Sequence, residues 1–137
     1  MASTAVVEQD YTTSADLESA LHGISRNVTK TKGSTLFRLG DEPIGLFLVR
    51  KGKVRLAIDG TSIGSRTLGC GSVLGLPATL NRKPYSMTAT ALEECELDFV
   101  DCDAVLKLFR ENCVLCFQAL QLLSEEVFAM RKAIETI

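Results

Sequence analysis

The chain has 137 residues, 46% of them hydrophobic and 23% charged, with a formal net charge of -2. That length suits one domain around one core and is short for two, and the charge balance excludes a surface that is basic overall. Charge is nonetheless segregated: residues 1–25 carry four acids and no base, residues 26–83 carry eleven Lys/Arg against three Asp/Glu, and residues 84–137 carry four against ten. A basic central third suits an anion pocket, yet Arg50, Lys51, Lys53 and Arg55 crowd one hairpin and suit a solvated face equally well. No run approaches the roughly 18 apolar residues of a membrane span, and the N-terminus has neither a basic nor an apolar leader region. No membrane partner is therefore expected, and the chain is read as cytoplasmic. Its five cysteines, odd in number and irregularly spaced, are expected to be reduced.

Along the chain, residues 1–13 are small and polar without a period and are expected to be loose; the domain proper is placed at 14–137. A short helix is predicted from Asp16 to about Ile24, with Leu17, Ala20, Leu21 and Ile24 on one face. Nine of the ten glycines then fall between Gly33 and Gly75. Between them lie β-rich runs at Ser34–Leu39, Leu46–Val49, Val54–Ile58 and Arg66–Leu68, closely spaced as in a small barrel or sandwich. Two more strands are predicted at Tyr85–Leu92 and Cys95–Val100. The fold class is therefore α+β, mainly a β barrel with flanking helices.

Residues 69–92 read as strand, tight turn, one short helix, loop and strand. Gly75 would let a ligand approach the backbone, and the helix it opens would aim unpaired N–H groups outward. The candidate ligand-binding residues are Gly75, Leu76, Pro77, Ala78, Arg82, Lys83, Tyr85 and Ser86, with Arg82 or Lys83 able to bend inward toward an anion.

After Val100 the pattern turns helical. Asp101–Arg110 forms one helix, its start capped by Asp101 or Asp103, and Asn112 is a plausible N-cap for a second spanning 112–137. In that second helix Cys113, Cys116, Leu120, Leu123, Val127, Met130, Ile134 and Ile137 are spaced alternately by three and four, a heptad stripe kept to the last residue. Such a helix is about 37 Å long, more than a domain this small can cover. A homodimer is expected through Cys116, Leu120, Leu123, Val127, Met130, Ile134 and Ile137.

A glycine-rich jelly-roll-like barrel, a cassette with one short helix and a long terminal helix together resemble the sensor half of Crp/Fnr-type bacterial regulators, which carry a cyclic-nucleotide-binding domain. The resemblance rests on Gly33-Ser34-Thr35-Leu36-Phe37-Arg38-Leu39-Gly40-Asp41, on Leu46 through Leu56, and on Gly71-Ser72-Val73-Leu74-Gly75, in that order. It implies an effector-sensing and dimerisation domain of a transcription regulator. In nucleotide-binding members a Glu follows the cassette Gly and an Arg precedes the Ser; here Leu76 and Tyr85 stand there, so any small-molecule effector is expected to differ from cyclic AMP, with a small acid, a different nucleotide or no ligand all open. The DNA-reading half has no counterpart, so the chain alone is expected not to bind DNA. The sequence ends mid-heptad, as expected of a piece of a longer regulator; a free-standing sensor is the other possibility.

Other chemistry is thinly represented. Cys113 and Cys116 form a Cys-x-x-Cys at a helix start that could be redox-active, but heptad positions favour a core role for both. The N-terminal cysteine cluster of iron–sulfur members is missing. His22 is the only histidine, so neither a His-based metal cluster nor a Ser-His-Asp triad can be assembled. A surface or helix-terminal role suits it better than that of a haem ligand. No cofactor, metal or enzyme activity is expected. The alternatives to a regulator's sensor domain are a stand-alone scaffold whose pocket is plugged around Leu76 and Tyr85, and a thiol redox sensor.

Overall fold

The computed structural model describes residues 6–8 and 13–135, and among these the chain forms nine strands and four helices. In chain order they are β1 (Val6–Glu8), α1 (Ala15–Gly23), β2 (Arg26–Lys30), β3 (Thr35–Phe37), β4 (Gly45–Lys51), β5 (Val54–Ala57), β6 (Ser65–Leu68), β7 (Val73–Leu74), α2 (Leu76–Asn81), β8 (Thr88–Ala91), β9 (Cys95–Asp101), α3 (Cys102–Glu111) and α4 (Cys113–Glu135). Two sheets face each other in a jelly-roll-like sandwich, one ordered β1-β6-β5-β8-β3 and the other β2-β9-β4-β7. Their pairings are antiparallel apart from β1 against β6.

β4 is a continuous apolar run, Gly45-Leu46-Phe47-Leu48-Val49, because both of its faces are covered. Successive side chains point to opposite sides of a strand. Phe47 and Val49, with Leu97 and Phe99 of β9, therefore enter the core between the sheets. Leu46, Leu48 and Val100 point the other way, onto a second core built with Leu17 and Leu21 of α1, Val105 and Phe109 of α3, and Leu115, Ala119 and Leu122 of α4.

Several sequence expectations need correction. Residues 6–8, expected to be loose, pair with β6. β2 was not foreseen, because Arg26-Asn27-Val28-Thr29-Lys30 holds one apolar residue; it sits at a sheet edge against β9. The strand expected from Tyr85 begins only at Thr88, since the backbone of Tyr85 is bonded to the turn at Gly40 and Asp41. Asp101 caps α3 by accepting from the Ala104 N–H, and the Asn112 carboxamide caps α4 by accepting from the Leu115 N–H.

The long helix departs most from expectation. Its packed face is Leu115, Ala119 and Leu122, whereas Leu120 and Val127 of the heptad stripe are exposed and Cys116 and Leu123 half-buried. Cys113, expected in the core, is exposed. The side chains of Met130 and Ile134, and all of Ile137, lie outside the described residues. Phe117, Leu120, Val127 and Phe128 are 55–64% exposed, and at about 100° per residue they fall within roughly 100° of arc. No helix among the described residues is long and apolar enough to cross a membrane.

Candidate ligand-binding site

A cavity of about 260 Å³ lies between the cassette and α4, lined by Arg66, Pro77, Ser86, Met87, Leu123, Glu126 and Val127. β6 supplies Arg66. The strand alternates, so Arg66 shares a face with Leu68, and Leu68 belongs to the core between the sheets. An arginine thus points inward at the end of the barrel, 1% exposed. Its Nη2 donates to Glu126 Oε1 at 3.1 Å and lies 3.9 Å from Met87 Sδ. Its Nε and Nη1 are buried without a partner.

The residues expected to bind ligand separate into three groups. Pro77 and Ser86 line the cavity, joined there by Leu123 and Val127 of the heptad stripe. Gly75, Leu76, Ala78 and Tyr85 instead build the floor beneath the cassette. Leu76 is 2% exposed in the helix-side core, and Ala78 and Tyr85 lie in the core between the sheets. Gly75 adopts φ +85°, and a Cβ there would stand 3.1 Å from the Tyr85 ring and 3.2 Å from the Gly45 carbonyl. This close contact and the positive φ both favour glycine there. Arg82 and Lys83 form the third group and point elsewhere. Arg82 pairs with Asp103 on α3, so it does not bend inward, and Lys83 is exposed.

Tyr85 closes the cassette. Its ring stacks on Phe37 with centroids 4.0 Å apart. Its hydroxyl accepts from the N–H groups of Ile44 at 3.1 Å and Gly45 at 3.2 Å and donates to the Gly45 carbonyl at 2.7 Å. Burial pushes its phenol pKa above the usual value, against the two backbone N–H bonds that favour the anion. Position 85 thus ties the cassette to the start of β4.

A wider, shallower concavity of about 520 Å³ lies against β5 and β8, bordered by Arg55, Asp59, Thr61, Ser62, Thr88 and Thr90 among others. No buried side-chain polar group lacking a partner borders it among the described residues. His22 was missed as a structural residue: its Nδ1 lies 2.6 Å from Oδ2 of the buried Asp98, with Arg50 Nε at 3.6 Å from the same oxygen. This contact fastens α1 to the outer face of β9. Arg66 was also overlooked, although the inward position shared with Leu68 is a signal that strand alternation could have revealed.

Comparison with known proteins bears on the same region. The chain is similar to the catabolite activator protein of Thermus thermophilus, at 24% identity over 90% of this chain and 59% of that one, with a TM-score of 0.73. It is similar, too, to the N-terminal domain of a transcriptional regulator from Streptomyces coelicolor, at 21% identity over 88% of this chain and 85% of that one, with a TM-score of 0.63. A protein solved in work on a cyclic-GMP-dependent signalling pathway of bacterial phytopathogenesis aligns at 21% identity over 88% of this chain and 98% of that one, with a TM-score of 0.74. These likenesses establish the fold. No curated protein matches the chain. Residues 28–112, from β2 through the cassette to the end of α3, match the cyclic nucleotide-binding domain; with the two sheets and the cassette in place, the chain belongs to that family.

Proposed function

We propose that this domain senses a small molecule and dimerises through α4 as the regulatory half of a Crp-like transcription regulator, with an effector other than cyclic AMP. One observation carries the reading: Val127 both lines the cavity and belongs to the exposed apolar face of α4. A molecule in the cavity touches the helix that a second copy would cover, so occupancy and helix pairing are coupled through one element. The Thermus catabolite activator protein extends well beyond the matched region, and in this reading α4 drives an output half.

Dimerisation is supported by magnitude. Half-burying Phe117, Leu120, Val127 and Phe128 from each of two copies is worth about 6 to 12 kcal/mol, comparable with the roughly 4 to 15 kcal/mol cost of association. Leu120→Asp tests it without touching the cavity wall. Light scattering should give a dimer for the wild type and a folded monomer for the variant. A wild type that is monomeric at high micromolar concentration, or a variant that stays dimeric, would overturn the reading. Leu76 and Tyr85 occupy the family's usual carboxylate and arginine positions and are buried in the cores, which supports an effector recognised by other groups.

A further inference from the structure

Arg66 has more hydrogen-bonding capacity than its surroundings use. A guanidinium carries five N–H donors. Among the described residues the acceptors that reach it, Glu126 Oε1 and Met87 Sδ, both lie at Nη2, while Nε and Nη1 are buried and unpartnered. A buried cation with unmet donors is costly, and one carboxylate engaged through a single oxygen compensates it only in part. A cavity lies beside it, in which Arg66 is the one basic lining residue. Arg82, the nearest alternative on the cassette, is held by Asp103.

We propose that Arg66 is the anion receptor of this domain: a small organic anion, carboxylate or phosphate ester, enters the cavity and displaces Glu126 from the guanidinium. The inference rests on the sensor reading above and names its ligand class. The planar fork of arginine matches two oxygens of such a group better than the single contact it now makes. Glu126 is the competitor built into the fold. It sits on α4, one residue from Val127, and its side chain retains 15% exposure, so it can turn toward solvent when displaced. The anion therefore removes the ion pair that fastens α4 to β6, and the helix is free to settle differently against its partner.

The test uses the 137-residue chain, isotopically labelled, titrated with inorganic phosphate and with acetate, and with adenosine as an uncharged probe. Either anion should shift the Arg66 Nε–H resonance and the backbone amides of residues 123–127 together and saturably. Glu126→Gln should tighten the anion by roughly tenfold, because it removes the competing charge. Arg66→Lys, which keeps the charge and loses the fork, should weaken it several-fold. A purely structural ion pair predicts no tightening in Glu126→Gln, and that result overturns the proposal. So does an Nε–H resonance that neither anion moves. If adenosine shifts residues 123–127 while the Nε–H stays still, the sensor reading stands and the anion receptor falls. If the anions shift the Nε–H and the α4 amides do not follow, Arg66 is the receptor and the coupling to α4 is wrong.

Discussion

Tyr85→Phe isolates a single hydroxyl. The ring can stay stacked on Phe37, so the change removes three hydrogen bonds and little else. Two of them, both to Gly45, are buried at both ends, while the third, from the N–H of Ile44, is only partly buried. Ile44 is 56% exposed, so its N–H can be rehydrated at small cost. The Gly45 groups cannot, and each buried polar group left unmet costs about 1 to 3 kcal/mol, for a total of about 2 to 6 kcal/mol. That is a large part of the 5 to 15 kcal/mol stability of an ordinary domain. Urea unfolding followed by circular dichroism should show the loss as a lower midpoint with an unchanged slope.

The same residue leaves a mark at alkaline pH. Burial raises the folded-state pKa of Tyr85, so the unfolded chain gives up the phenolic proton first, near pH 10. The contribution is complete below that value and falls by about 1.4 kcal/mol per unit as the pH rises toward the folded pKa. Wild type should therefore lose stability relative to Tyr85→Phe above about pH 10. A variant within about 0.5 kcal/mol of wild type at neutral pH would refute the claim that the hydroxyl pins the cassette to β4.

Cyclic AMP should bind about a thousandfold more weakly than to a domain with the usual carboxylate and arginine, since Leu76 and Tyr85 offer neither; low-micromolar, one-to-one saturation in calorimetry would contradict this. Alkylation should reach exposed Cys70 readily and buried Cys95 and Cys102 only on unfolding, the more so because burial pushes the Cys95 thiol up and away from the reactive thiolate. Cys113 shares its arc of α4 with Leu120, so it should be protected in the wild-type dimer and reactive in Leu120→Asp; equal rates in the two would count against the paired helices. His22→Ala should cost about 1 to 3 kcal/mol by taking a partner from the buried Asp98 carboxylate, and a neutral effect in thermal unfolding would show that Arg50 alone satisfies it.

The barrel, the cassette and the long helix were legible in the sequence because each is written locally: glycine-bounded β-rich runs for the strands, three-and-four spacing for α4, Asp101 and Asn112 at helix starts. The edge strands β1 and β2 were not. β1 and β2 are paired through backbone groups to partners far along the chain, and backbone pairing demands little of side chains. On α4 the sequence offers two apolar stripes side by side, and periodicity cannot choose between them. The tertiary structure assigns Leu115, Ala119 and Leu122 to the core because Leu46, Leu48 and Phe109 present an apolar surface there, and so turns Leu120 and Val127 outward. The cavity is decided the same way. Strand alternation already sends Arg66 inward, but Glu126 is 60 residues distant, as His22 is 76 residues from Asp98. Contacts of that separation depend on how sheets and helices pack, which no local pattern encodes.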